Sequence, residues 1–260
     1  MRPAVSRFSS LFILLPLLTA CAHSTPGSKS EPAETSAAKL NMQLGIAYMQ
    51  QGNFDVALDK LNKALERDGR LPEAHNAIAL LYEGTGRPNL AEQHFQRAIE
   101  LDANYTLAKL NYAQFLCTHG QPAAGEDRFL AIARNPPAGS TEPASTTELA
   151  AKAYTGAAVC ALATDRRRAD NYLRQALALK PDAGGTLYQM ANLYYADGDY
   201  LKARAFLQRY HTQAGYNPES LWLGISIEDK LGGSPLKQEY TELLLSKFAD
   251  SDAARRLKSK

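Results

Sequence analysis

The chain has 260 residues, of which 45% are hydrophobic and 22% are charged, a balance that is typical of globular proteins and excludes a disordered chain. Its 29 basic and 27 acidic residues are spread along the sequence and give a formal net charge of +2, so no basic field is present to attract nucleic acid. We therefore expect no nucleic-acid partner.

Residues 1–20 have the composition of a secretory signal peptide. Arg2 and Arg7 supply a positively charged start, and residues 11–18 form an apolar run that is too short for a stable transmembrane helix. The sequence therefore predicts an exported protein from which this segment is removed.

Residues 18–21 read Leu-Thr-Ala-Cys and resemble the lipobox of bacterial lipoproteins, in which the cysteine is acylated and becomes the new N-terminus. The alternative is an ordinary cleavage site followed by an incidental cysteine, but Ala20 lies directly before Cys21 and no better site follows. Several acyl chains on one residue anchor a protein stably. Because Ala22 follows, and not the Asp that retains lipoproteins in the inner membrane, the resemblance implies the periplasmic face of the outer membrane.

Residues 21–37 are rich in Ser, Pro, Thr and Glu and contain almost no bulky apolar side chain. Such a segment cannot bury itself and is predicted to be a flexible tether. It would hold the folded part, residues 38–260, a short distance from the lipid surface.

The folded part repeats with a period of 34 residues, the length of a tetratricopeptide repeat. Leu44, Gly45, Tyr48, Gly52, Ala57, Leu61 and Ala64 recur one period later as Ile78, Ala79, Tyr82, Gly86, Ala91, Phe95 and Ala98. An irregular helical bundle would explain amphipathic helices but not this constant spacing. The repeat predicts an all-α, right-handed superhelical solenoid of about six helix-turn-helix units.

The predicted units cover residues 38–71, 72–105, 106–134, 150–183, 184–217 and 219–252. A polar stretch without periodicity, residues 135–149, is predicted to be an insertion between the third and fourth units. The last unit matches the repeat poorly, as expected of a unit that caps a stack.

A more specific resemblance rests on residues 111–120 (NYAQFLCTHG), on residues 156–162 with Cys160, and on residues 221–225 (LWLGI) near the end. These residues resemble the type IV pilus biogenesis and stability lipoproteins of the PilF/PilW kind, over nearly the whole chain. The chain departs from that family at Ala249, where a Pro is frequent, and in the insertion. The resemblance implies a pilotin, an outer-membrane lipoprotein that a pilus secretin needs to reach the membrane and assemble.

Cys117 and Cys160 remain once Cys21 carries lipid, and an even number of cysteines in an oxidising compartment suggests a disulfide. Both fall late in the first helix of adjacent units, and the family resemblance points the same way. The alternative is two free buried cysteines that act as small apolar residues. A metal site is not expected, because two thiols without a nearby histidine pair do not form a tetrahedral ligand set.

In the wider repeat family, the first helix of each unit lines the inner wall of the solenoid. The predicted partner-binding groove consists of Met42, Ile46, Met49, Asn76, Leu80, Leu110, Gln114, Tyr154, Tyr188, Asn192, Tyr195, Leu223 and Ile227. Exposed apolar and aromatic side chains of this kind mark partner sites. The alternative is that many of them pack internally, because the register is shifted by one residue.

No catalytic motif stands out, so we expect no enzyme activity, no cofactor, no metal and no small-molecule substrate. Ordinary surface or packing roles are expected for the histidines, which are His23, His75, His94, His119 and His211. The basic run at residues 166–168 is expected to be a solvated turn, with contact to acidic lipid headgroups or a partner as the alternative.

The sequence thus predicts a monomeric scaffold whose partners are the type IV pilus secretin subunit and the outer membrane. The alternative is a tethered adaptor for cell-wall hydrolases or for outer-membrane protein assembly. An enzyme such as a peptidoglycan hydrolase is a third, more distant interpretation.

Overall fold

The structure is a computed structural model that describes residues 33–136 and 146–259. The predicted signal peptide, Cys21 and most of the predicted tether and insertion lie outside these residues. Within the described ranges there are thirteen helices and no strand. The helices are α1 (Ala33–Gln50), α2 (Phe54–Arg67), α3 (Pro72–Gly84), α4 (Pro88–Leu101), α5 (Thr106–Thr118), α6 (Pro122–Arg134), α7 (Thr146–Ala161), α8 (Arg166–Leu179), α9 (Gly184–Ala196), α10 (Tyr200–Ala214), α11 (Pro218–Lys230), α12 (Pro235–Lys247) and α13 (Asp252–Lys258).

The first twelve helices pair in chain order into six hairpins, from α1/α2 to α11/α12. Each hairpin also packs against its neighbour, so that the hairpins share one continuous interior. The predicted all-α tetratricopeptide solenoid is confirmed.

The turns and helix starts follow from local sequence. Gly86 has φ +72°, a left-handed conformation that side chains with a Cβ rarely adopt, and it closes the turn between α3 and α4. Pro88 then begins α4, at a position where the missing N–H would have no helical partner. The same turn position in the other early hairpins is also a glycine with positive φ.

The repeat signal corresponds to buried side chains on the second helix of each hairpin. Small residues flank one large apolar residue, and this triplet is 0% exposed in three of the hairpins: Ala57, Leu61 and Ala64; Ala91, Phe95 and Ala98; Ala169, Leu173 and Ala176. These residues fill the space between the two helices of their hairpin and the first helix of the next. The 34-residue period in the sequence therefore reflects the repetition of these buried contacts from one hairpin to the next.

Three boundaries differ from the prediction. Residues 33–37, predicted as part of the flexible tether, are the start of α1, and three of these five residues are Ala or Glu, which favour helix. Residues 146–149, predicted as insertion, begin α7, and Leu149 is buried. The helix α13 lies beyond the last predicted unit and was not predicted.

The sixth hairpin has a different register from the one predicted. Gly224 lies against the ring of Tyr240, where a Cβ would come within 2.6 Å of the ring carbons. This close approach is the contact that a small residue makes in the middle of a first helix. The contact sets the rotation of α11 about its own axis, and with this rotation Leu223 and Ile227 point into the molecule.

The C-terminal end of the solenoid is covered by α13, which packs against α11 and α12. Ala253 and Ala254 are 0% exposed and join a cluster with Leu221 and Ile225 of α11. This short helix takes the place that the first helix of a seventh hairpin would occupy. It acts as the cap of the array.

Candidate partner-binding groove

The inner wall of the solenoid is formed by the first helix of each hairpin. Neighbouring first helices approach within 8 Å between Cα atoms, as in α1 with α3 and α7 with α9, whereas neighbouring second helices do not. Such an array curves with the first helices on the inside. The predicted groove residues all lie on these helices.

The part of the groove nearest the N-terminus is aliphatic. Met42, Ile46 and Met49 of α1 are partly exposed and rest on the buried cluster around Leu61 and Ile78. Leu80 of α3 is 36% exposed. Flexible, polarisable methionines adapt to different apolar partners, so this part suits an apolar segment.

The part nearest the C-terminus is lined by tyrosine and amide side chains. Tyr154, Tyr188, Asn192 and Tyr195 are partly exposed, as is Gln114 of α5 between the two parts. Partial burial raises the pKa of the Tyr188 hydroxyl above its ordinary value. These side chains offer apolar area together with hydrogen-bonding groups.

Four predicted groove residues are buried and do not present a free surface. Leu110, Leu223 and Ile227 are 7%, 6% and 0% exposed and belong to interior clusters. Asn76 is 4% exposed, and its Oδ1 accepts a hydrogen bond of 3.1 Å from Nδ2 of Asn111. For these four, the predicted groove role is corrected to internal packing, because their side chains contact a neighbouring hairpin.

Cys117 and Cys160 form a disulfide, with their Cα atoms 5.2 Å apart. The bond joins α5 to α7 and therefore fastens the third hairpin to the fourth. The same junction is packed by Phe129 of α6 and Leu149 of α7. The two parts of the groove are thus connected covalently and by apolar contacts.

A series of polar contacts between hairpins was missed in the sequence. In each contact, a charged residue of a second helix forms a hydrogen bond with a residue of the following hairpin. Tyrosine hydroxyls donate to carboxylates in three of them: Tyr112 to Glu92 at 2.8 Å, Tyr172 to Glu126 at 2.9 Å, and Tyr194 to Asp170 at 3.1 Å. In the fourth, Arg204 donates to Glu228 at 2.7 Å. The charged residues recur at the 34-residue period within each half of the chain, Glu126 after Glu92 and Arg204 after Asp170, so a signal for them was available; Tyr172 does not follow Tyr112 at this period.

The last of these contacts is a buried ion pair. Glu228 is 1% exposed and meets the Arg204 guanidinium with both carboxylate oxygens. The Ser234 hydroxyl donates a further hydrogen bond of 2.6 Å to Glu228. A carboxylate this deeply buried requires such partners, because an unpaired buried charge is strongly unfavourable.

Two histidine environments carry shifted pKa values. His75 and His94 face each other with their Nδ1 atoms 3.1 Å apart, and burial, followed by the charge of His75, lowers the pKa of His94 to about 4. Burial likewise lowers the pKa of His211 to about 4, and neither of its ring nitrogens has a hydrogen-bond partner within residues 33–136 and 146–259. No group of three or more potential metal ligands occurs in the described part of the chain.

The basic run at residues 166–168 makes contacts within the protein. Arg166 pairs with Asp197 at 3.0 Å, and Arg168 pairs with Glu126 at 3.2 Å. Asp165 caps α8 by accepting a hydrogen bond from the Arg168 backbone. These ion pairs balance the local charge and favour the interpretation as a solvated turn.

Among the helices described here, none has the length and apolar character required to cross a bilayer. The tetratricopeptide-repeat family matches residues 35–104 and residues 186–214. These matches agree with the hairpins that the structure contains in both regions.

The chain is similar to the type IV pilus assembly protein PilF of Pseudomonas aeruginosa, with 26% identity over 224 residues, which is 85% of each chain. A solved structure of Pseudomonas aeruginosa PilF superimposes with a TM-score of 0.64 and 23% identity, covering 88% of this chain and 99% of that one. The crystal structure of PilW, described as a widely conserved type IV pilus biogenesis factor, gives a TM-score of 0.67 and 21% identity, covering 85% and 98%.

Proposed function

We propose that this chain, a tetratricopeptide-repeat protein homologous to the type IV pilus assembly protein PilF, is an outer-membrane lipoprotein that acts as a pilotin. It binds the secretin subunit of the pilus through its groove and promotes localisation of the subunit to the outer membrane and its multimerisation. The observation that carries the proposal is the similarity to PilF over 85% of both chains. A shared fold alone would not do so, because one fold serves many functions.

The lipid anchor is the first working part. Acylation of Cys21 would hold the protein at the periplasmic face of the outer membrane, and residues 22–32 would connect the anchor to α1. A secretin subunit bound to the solenoid would then be delivered to the same membrane. Replacing Cys21 with Ser should leave the fold intact and mislocalise the secretin.

The groove is the second working part. Its aliphatic end around Met42 and Leu80 and its tyrosine-lined end around Tyr188 suit one segment with an apolar part and a more polar part. An amphipathic helix or an extended segment laid along a groove is a common mode of peptide recognition. The disulfide between Cys117 and Cys160 supports this use, because it keeps the two ends aligned.

A secretin assembly assay tests the proposal. Heat- and detergent-resistant secretin multimers are measured in outer-membrane fractions of a strain that lacks the gene, with and without a plasmid copy. We expect the multimers to disappear and to return with the wild-type chain. Unchanged multimers in the deletion strain would defeat the pilotin proposal and favour the adaptor interpretation.

The chain offers a matched pair of variants for the groove. Leu80 of α3 and Leu90 of α4 lie in the same hairpin and are 36% and 38% exposed, but only Leu80 faces the groove. We expect Leu80→Asp to abolish rescue of the multimers, because a carboxylate would be desolvated by the bound segment. Leu90→Asp should rescue them fully, and equal behaviour of the two variants would argue against binding in the groove.

A further inference from the structure

The first hairpin carries an apolar strip that nothing in the described chain covers. Leu40 and Leu44 of α1 lie one helical turn apart and are 58% and 41% exposed. Neither belongs to any of the buried clusters. We call these two residues the leading strip.

The repeat shows what this position normally does. One period later the same positions are Ala74 and Ile78, both 0% exposed, and in the third hairpin they are Ala108 and Tyr112, at 0% and 3%. In those hairpins they pack against the preceding hairpin. The leading strip therefore has the chemistry of an inter-hairpin contact, but the described residues form no hairpin before it, whereas the opposite end of the array is capped by α13.

The position of the strip relative to the proposed anchor indicates its occupant. Residues 22–32 separate Cys21 from the first residue of α1, and a fully extended chain of this length reaches at most about 40 Å. As a flexible coil it spans about 20 Å on average. The helical rise from Ala33 to Leu40 adds only about 10 Å, so a tether fixed in the bilayer keeps the strip near the lipid surface.

The charge pattern of α1 agrees with a lipid surface as occupant. Residues 40–51 contain no charged side chain, as is also true of the stretches at residues 110–125 and 183–196 that include other first helices. Contact of this stretch with the interface would therefore desolvate no ion. Two leucines that enter the boundary between headgroups and acyl chains bury apolar area as amphipathic interfacial helices do.

We propose that the leading strip rests on the membrane that holds the lipid anchor, so that the first hairpin lies at the bilayer surface and the other hairpins project from it. The inference rests on the lipidation in the proposed function. It adds an orientation: the aliphatic end of the groove is close to the membrane and the tyrosine-lined end is remote from it.

A fluorophore measurement tests the contact. The full chain is produced in a bacterium that processes lipoproteins, its acylation is checked by intact mass, and an environment-sensitive dye is attached to Leu40→Cys or to the control Leu201→Cys. Leu201 is 66% exposed and lies on α10, far along the array. The proteins are reconstituted in phosphatidylethanolamine and phosphatidylglycerol vesicles with spin-labelled acyl chains.

We expect a shift of the emission to shorter wavelength and quenching at position 40, and neither at position 201. No quenching at position 40 in acylated protein would overturn the inference while leaving the pilotin proposal intact. A spectral shift without quenching that grows with protein density would assign the strip to a second copy instead. Unacylated protein would contradict both the anchor and the inference.

A second variant separates contact from mere proximity to the anchor. With the dye at Gln43→Cys, between the two leucines, the added changes Leu40→Gln and Leu44→Gln should abolish the quenching while acylation and helicity are retained. Persistent quenching in this variant would show that the tether alone brings α1 to the lipid, and would overturn a role for the strip.

Discussion

The three hairpins before residues 137–145 and the three after them share one backbone plan but differ in their ends and in their inner walls. The first half begins with exposed Leu40 and Leu44 and has an aliphatic groove. The second half ends under α13 and has tyrosines in the groove and a buried ion pair between Arg204 and Glu228. In a repeat array each hairpin is stabilised only by its neighbours. The difference indicates that the second half is closed at its outer end, whereas the first half exposes apolar side chains there.

The largest expected effect comes from separating the two halves. Replacing Cys117 and Cys160 together with Ser opens a loop with a sequence separation of 43, which costs about 4 kcal/mol in the chain-entropy model. Urea unfolding of the oxidised protein and of this variant measures the loss. We also expect two transitions in the variant, because the halves can then unfold separately. A loss below about 1 kcal/mol would show that packing alone joins the halves.

The next effect concerns the ion pair that distinguishes the second half. Arg204→Met leaves the buried Glu228 without its partner and should lower the free energy of unfolding by about 3 kcal/mol. Arg97→Met, which breaks an exposed pair with Glu100 in the first half, should cost less than about 1 kcal/mol. Comparable losses in the two variants would remove this contrast between the halves.

A smaller effect is a pH dependence of the first half. The folded-state pKa of His94, at about 4, lies below its ordinary value of 6.5, so unfolding takes up a proton between these values. Stability should therefore fall as the pH falls from about 6.5 to about 4, by roughly 1 kcal/mol after allowance for the partial exposure of the ring. Thermal melts of the wild type and of His94→Leu across this range check it, since the variant should lose less stability. Parallel curves would contradict a role for His94, and the lowered pKa values of His75 and His211, both caused by burial, contribute to the dependence that remains.

The smallest effect is expected at the open end. Leu44→Gln should change the free energy of unfolding by less than about 0.5 kcal/mol, because this side chain is exposed in the folded protein. Leu244→Gln, at a 0% exposed position in the second half, should cost about 3 kcal/mol or more. Chemical denaturation of the two variants gives the comparison. A large loss for Leu44→Gln would mean that the first hairpin needs this residue for its own packing.

The hairpins were predictable because their determinants are local. The triplet Ala57, Leu61 and Ala64 packs within its own hairpin and against the next one, and its period survives in the sequence. The position of the inner wall was predictable in part, since residues such as Leu80 and Tyr188 lie on it as expected. The register of the sixth unit depends on the contact between Gly224 and Tyr240, so the sequence pattern placed Leu223 and Ile227 on the wrong face.

Other features depend on where distant side chains meet in space. The hydrogen bond between Asn76 and Asn111 and the pairing of Arg204 with Glu228 join different hairpins, and the polarity of these residues does not indicate such contacts. The cap α13 carries no copy of the repeat and could not be found from the period. The start of α1 was missed because the Ser, Thr, Pro and Glu content of residues 21–37 outweighed the helix propensity of Ala and Glu at residues 33–37.

Photo-crosslinking in cells tests the central claim most directly. A benzophenone side chain is placed at position 80, in the groove, or at position 90, on the outer helix of the same hairpin, in a strain that produces the secretin. The account predicts a crosslink to the secretin subunit from position 80 and none from position 90. Absence of the secretin from the products at position 80, or equal yields at the two positions, would contradict it.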